Sequence, residues 1–265
     1  MCSNFCHVLN IPLLNTFVSL NLKAIENSGY PWGLFVPYGF SQYYNGNPKI
    51  FYVGIDTYYW SNKSTDLLKA YNTQDYTHYL CVNDATVTAE RLLGEWAYNK
   101  GPFWEFICKM QIYIRTGILK STDELRSLTK HEENILHEIG YGNMNAIEIP
   151  RTLQKEGYWD SISQNEYWQM VNSAKSIFQP IKNILDSYNP DIIILLGSEK
   201  SDEYLFDGLT YHHKKKFDDD KWRKLYTVDG SRVKIIKTYH TNVFKYKGTN
   251  NDEMVEYVFE SLKLI

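Results

Sequence analysis

The sequence is poor in the features that announce most function classes. Its 265 residues include only four cysteines, at positions 2, 6, 81 and 108, with neither a Cys-x-x-Cys pair nor a secreted disulfide spacing. The start Met1-Cys2-Ser3-Asn4 has no basic stretch ahead of an apolar core, so the expectation is a cytoplasmic chain with reduced thiols. Apolar runs are too short and too often broken by charge to cross a bilayer, and no membrane partner is expected. Net charge is −3, so no global basic field advertises nucleic acid, and any such partner must be held by a local patch. No Gly-x-Gly-x-x-Gly follows a strand and no Gly-x-Ser-x-Gly occurs, which argues against dinucleotide enzymes and serine hydrolases. His131, Glu132, Glu133, His137 and Glu138 invite a metal reading, but a six-residue histidine spacing puts the pair on different helix faces and no third ligand is suitably spaced. No metal and no other cofactor is therefore expected.

What the chain does have is apolar and aromatic mass. Hydrophobic residues make up 43% and aromatics 15%, with 22 tyrosines, enough for one full core and a surplus of rings suited to base stacking, protein contact or packing. The economical reading is a single α/β domain over residues 1–265, monomeric, with residues 1–45 forming an N-terminal helix and an aromatic loop.

The pattern alternates helices and short apolar strands. Leu13, Leu14, Phe17, Val18, Leu20, Leu22 and Ile25 predict a helix ending near Ser28-Gly29. Ser64 to Leu80 contains a short helix, Thr86 to Asn99 and Trp104 to Ile118 read as helices, and Ser121 to Leu136 reads as a polar or irregular connection. A glycine-flanked entry at Gly140 and Gly142 leads into a short apolar run stopped by Pro150. Gln164 to Tyr188 reads as a long helix interrupted near Pro180, and Asn189-Pro190 ends it before the apolar strand Asp191 to Gly197. Residues 201–230 read as a polar hairpin or insertion, Val233 to His240 as the last strand, and Asn251 to Leu264 as a terminal helix.

The stretch around which these elements are arranged is Lys49 to Trp60. Ile50 to Val53 is a β-branched and aromatic run typical of a strand buried on both faces, Gly54 frees the backbone to turn, and Asp56 follows at the carboxyl edge, where open α/β sheets bind ligands. Taken alone, Asp56 could equally cap a following helix.

Gly54-Ile55-Asp56-Thr57-Tyr58-Tyr59 resembles the water-activating motif of the uracil-DNA glycosylase superfamily, Gly-Gln-Asp-Pro-Tyr-His in its best-known branch, with Gly54, Asp56 and Tyr58 in register. His240, at the end of the last strand, is placed like the histidine of that superfamily's final His-Pro-Ser motif. The resemblance implies a three-layer αβα fold around a central, mostly parallel four-stranded sheet. It further implies a DNA glycosylase that cleaves the N-glycosidic bond of a flipped base with water as nucleophile.

In that role Asp56 stabilises the oxocarbenium-like sugar and orients water, His240 hydrogen-bonds the departing base, Gly54, Ile55 and Tyr58 line the pocket, and an asparagine reads the base edge. Asn145 is the better match for that asparagine, with Asn143 in reserve; a turn role after Gly142 is the alternative for both.

Ile55, Thr57 and Tyr59 depart from the motif, and His240-Thr241-Asn242 replaces His-Pro-Ser, which points from uracil toward a modified or damaged pyrimidine, in base-excision repair or in defence against DNA with modified bases. Lys214, Lys215, Lys216, Trp222, Arg223, Asn242 and Lys245 are candidate DNA contacts, although Asp218, Asp219 and Asp220 interrupt the run and a solvated face is the plainer reading. Two rivals stay open: a non-catalytic nucleic-acid or nucleotide binding module on the same scaffold, and a hydrolase or transferase of free nucleosides.

Overall fold

The computed structural model describes residues 11–27, 37–54, 64–75, 101–144, 179–197, 201–217 and 223–264, with the isolated positions 165, 169 and 173. Seven strands form one mixed sheet: β1 (Tyr38–Gly39), β2 (Ile50–Gly54), β3 (Ile139–Asn143), β4 (Ile192–Leu196), β5 (Tyr211–Phe217), β6 (Arg223–Val228) and β7 (Lys234–Thr238), in the order β1-β3-β2-β4-β7-β6-β5. The four central strands, β3, β2, β4 and β7, are mutually parallel. β1 adds to β3 antiparallel at one side, and the β5–β6 hairpin adds antiparallel to β7 at the other.

The expected four-stranded sheet is therefore the parallel centre of a seven-stranded one. The difference lies mostly in residues 201–230, where cations at Lys214 to Lys216 mask an edge strand. Only one face of such a strand needs to be apolar, and lysines on it discourage pairing with a further chain. Leu225 and Tyr226 of β6 are fully buried, so of the two readings of residues 201–230 the hairpin is the one the structure has, and its inner strand belongs to the core.

Helices cover both faces. On one, α1 (Ile11–Asn27), α2 (Ser64–Thr73), α5 (Pro180–Tyr188) and the short α6 (Asp202–Leu205) pack on Phe51, Val53, Ile193, Leu195 and Ile235. On the other, α3 (Pro102–Thr116), α4 (Lys130–Leu136) and α7 (Asn251–Leu262) pack on Tyr52, Tyr141, Ile194, Leu196 and Ile236. Strand residues alternate between these two sets, as the two-residue period of a strand requires. No described helix is long and apolar enough to cross a membrane.

Three boundaries move from expectation for local reasons. Ser121 to Leu136 contains α4, started by a capping box in which Thr129 Oγ1 accepts from the Glu132 backbone N–H and the Glu132 carboxylate accepts from the Thr129 N–H. α3 begins at Pro102, directly after Gly101 at φ +98°, where proline is tolerated because its missing donor would be unpaired anyway.

The glycine-rich segment does not lead into β3; it is β3. A Cβ at Gly140 would lie 2.2 Å from Phe51 Cδ2, and one at Gly142 would lie 3.0 Å from Phe51 Cε1. The two glycines clear a floor on which the Phe51 ring lies, and they bring the strand to its end at Asn143. The predicted helices at 86–99 and 164–178 fall mainly outside the described residues.

Candidate active site

The carboxyl ends of the parallel strands meet along one edge of the sheet. Gly54 is the register partner of Asn143, and Leu196 is the partner of Thr238. Met144 N–H donates to Gly54 O at 2.7 Å and Gly197 N–H donates to Thr238 O at 3.0 Å, so the strand ends are tied past their last ladder residues. β2 sends its connection to β3 on one side and β4 sends its connection toward β7 on the other. This reversal of direction makes the edge between them the expected ligand crevice of an open α/β sheet.

Side chains converge on the α3 side of that edge. Asn143 is buried, and the Tyr141 hydroxyl donates to its Oδ1 at 3.0 Å. Across the strand, a Cβ at Gly54 would stand 3.1 Å from both Asn143 Oδ1 and Phe103 Cζ, so glycine there makes room for an amide and a ring together. Phe103 enters from the first turn of α3 and meets Tyr141 edge-on, with centroids 5.8 Å apart. On its other side Phe103 lies nearly parallel to the His240 imidazole, with centroids 5.8 Å apart and planes 14° apart. A continuous group therefore runs from the end of β2 through Asn143, Tyr141 and Phe103 to His240.

His240 is half-buried and caps the 3-10 turn Thr241–Lys247. The Asn242 backbone N–H donates to its Nδ1 at 3.3 Å. A neutral imidazole that accepts at Nδ1 carries its proton at Nε2, so the ring is set as a donor through Nε2.

On the opposite face of the sheet, near the same end, Asp202 bonds Lys237 at 2.8 Å and Lys224 at 3.2 Å. Burial pushes the Asp202 carboxyl up, but the Lys237 hydrogen bond and charge, with Tyr226 and Lys224, hold it below the ordinary carboxylate range. Lys237 itself is lowered by burial, with Asp202 opposing. One carboxylate thus bridges two lysines, one from β6 and one from β7, near the turn that His240 caps.

Comparison with protein-family models, curated proteins and solved structures finds no match.

Of the residues singled out in the sequence, Gly54, Asn143 and His240 are brought to one edge. Asp56, Ile55, Tyr58, Asn145 and Trp222 lie outside the described residues. Asn242 and Lys245 are exposed on the 3-10 turn that follows His240. Lys214 is exposed on β5, whose last residues, Lys215, Lys216 and Phe217, run toward the same carboxyl edge because Phe217 pairs with Arg223 and Arg223 with Thr238. At about 4.8 Å per strand, β5 lies ~10 Å from β7 and ~19 Å from β2.

Arg223 departs from expectation. It is only 4% exposed, and its guanidinium lies over the Tyr257 ring of α7 at 4.9 Å, so it braces the sheet against that helix and is no surface cation.

Phe103 and Tyr141 were not among the sequence candidates. The signal for Phe103 was the Gly101-Pro102 helix start, which puts an aromatic residue on the first turn of a helix aimed at the strand ends. Nothing local marks Tyr141 apart from its two-residue offset from Asn143.

Proposed function

We propose that the protein is a DNA glycosylase, a divergent member of the uracil-DNA glycosylase superfamily, that releases a flipped, modified or damaged pyrimidine with water as nucleophile. The observation that carries this reading is the stacked Phe103–His240 pair standing beside Gly54 and Asn143 at the carboxyl edge. A planar ring surface, a fixed amide and an imidazole donor are what an extruded base requires: a face to stack on, an edge to be read by, and a proton donor for its developing negative charge.

In this mechanism Asp56, two residues after Gly54, stabilises positive charge on the sugar and orients the attacking water. The C1′–N bond breaks as the electron pair leaves with the base, and His240 Nε2–H meets the oxygen on which that charge accumulates. Asn143 is assigned the base-reading role, supported by its amide lying between Tyr141 and Gly54. Phe103 replaces Tyr58 as the stacking wall. Tyr58 is then no longer required beside the pyrimidine 5-position, where its ring would obstruct the bulky substituents of modified bases.

The test is base release from duplexes and single strands carrying uracil, hypoxanthine or modified cytosines and uracils, read as strand incision after alkali. Release from at least one of these, with no release from the matching free nucleosides, is the expected result. Asp56→Asn should abolish it while leaving unfolding temperature and DNA affinity nearly unchanged. Tight binding of every duplex without incision would instead identify a binding module, and turnover of free nucleosides alone would identify a nucleoside enzyme.

A further inference from the structure

Resting on the glycosylase reading, we infer that Tyr141 is a specificity-determining positioning residue, which fixes the orientation of the Asn143 amide and thereby decides which hydrogen-bonding edge of a pyrimidine the site accepts. An asparagine amide is nearly symmetric in shape but not in function, since one end accepts and the other donates. Rotating it by half a turn exchanges the two ends, and a base edge complementary to one orientation is mismatched with the other.

Three observations fix the orientation here. The Tyr141 hydroxyl lies within hydrogen-bond distance of the amide and donates to Oδ1 at 3.0 Å. Oδ1 lies over Gly54, in space that a Cβ at 3.1 Å would take. The Tyr141 ring is only 2% exposed and is held between Trp104, with centroids 5.1 Å apart and planes tilted by 52°, and the edge-on Phe103. A buried ring flanked by two aromatics from α3 is a donor held in place by packing. The amide it holds inherits that fixity.

The chemistry that follows concerns the 3- and 4-positions of the base. A 4-oxo pyrimidine presents a carbonyl acceptor next to an N3–H donor, whereas a 4-amino pyrimidine presents an amino donor next to an N3 acceptor. With the glycosidic carbon held toward the catalytic groups, one amide orientation can satisfy only one of these edges. The wrong edge leaves a buried donor facing a donor and an acceptor facing an acceptor, which polar sites reject far more strongly than a missing methylene. Tyr141 touches the reader and not the base. Its loss should alter the choice between bases more than the rate on the preferred one.

The experiment compares wild type with Tyr141→Phe on matched duplexes, 5-hydroxymethyluracil against 5-hydroxymethylcytosine and uracil against cytosine, under single-turnover conditions. Binding of free uracil and free cytosine is measured by calorimetry in parallel. Wild type is expected to favour one member of each pair by a hundredfold or more. Tyr141→Phe, which keeps the ring and its packing, should narrow that ratio at least tenfold in incision and in binding, with the rate on the preferred base reduced less than the ratio. An unchanged ratio with active wild type overturns the role of Tyr141 alone. Absence of base release and of base binding by wild type overturns the glycosylase reading, and this inference with it. A Tyr141→Phe protein that loses rate equally on both members, at an unchanged ratio, makes Tyr141 merely structural.

Discussion

At the scale of single residues, the site depends on two rings that face each other. His240 is oriented by one backbone N–H from Asn242 at 3.3 Å and by its stack on Phe103. Losing one preorganised donor of this kind commonly removes ~10²–10³ in rate, or about 3–4 kcal/mol of transition-state stabilisation. His240→Ala is therefore expected to slow base release by that factor in single-turnover assays while substrate affinity changes little. Phe103→Ala should act differently, because stacking of a base on an aromatic ring is worth ~1–3 kcal/mol and operates on the bound base before the bond breaks. Substrate affinity should fall about tenfold or more in Phe103→Ala, and Phe103→Tyr should restore it. Equal effects of the two alanine variants on affinity would remove the division of labour between the rings.

At the scale of elements, α4 offers a pH test. Glu132 is buried at the helix start, where its carboxylate accepts from the Thr129 N–H and hydroxyl and lies 2.6 Å from Lys120. The Lys120 contact, then the Thr129 backbone bond, hold its carboxyl down to about 2, against an ordinary 4.5. A carboxyl depressed in the folded state stabilises the fold above its unfolded value, and that contribution is lost as pH falls from about 4.5 toward 2. Glu132→Gln should unfold more readily than wild type at neutral pH, and its unfolding midpoint should change less with acid across that window. Parallel acid profiles for the two proteins would show that the cap carries no such linkage.

Much of this layer was legible in the sequence, in unequal measure. β2 and β4 were readable because strands buried on both faces must be continuously apolar, as Ile50 to Val53 and Ile192 to Leu196 are. The ends of α5 were readable because proline and an asparagine in the left-handed region at φ +43° leave few alternatives. β3 was misplaced by about five residues because glycines read as turn signals, whereas here Gly140 and Gly142 are packing partners of Phe51, 89 and 91 positions upstream, which local pattern cannot disclose. The β5–β6 hairpin was read as such, but its lysines hid that it extends the core sheet, and Phe103 was hidden by its distance in sequence from every motif it joins.

At the scale of the whole molecule, a protein of net charge −3 that holds DNA must do so through a confined patch. The 3-10 turn after His240 carries Lys245 over the Tyr246 ring at 4.9 Å and Lys247 over the Tyr239 ring at 5.2 Å. Neither lysine is paired with a carboxylate among the described residues, in contrast to Lys109, Lys120, Lys182, Lys224, Lys237 and Lys263. Each phosphate neutralised contributes about −0.9 to the slope of log affinity against log salt on duplex DNA. Lys245→Ala with Lys247→Ala should therefore flatten that slope by roughly two units and weaken binding similarly for all sequences, leaving the order of preference among bases intact. A slope unchanged in the double variant would move the phosphate grip elsewhere, with the lysine-bearing end of β5 the next place to test.

The helix that carries Phe103 is anchored by buried polar contacts. Lys109, buried in its middle, reaches Asp252 of α7 at 2.5 Å, Glu105 one turn earlier at 2.7 Å and Thr122 at 3.1 Å, while Gln111 takes the Tyr52 hydroxyl at 3.1 Å from within the sheet. A ring mounted on such a strut works as an anvil. Its entropy is surrendered once, when the chain folds, so in the proposed reaction a base would be ordered against a surface already set in place.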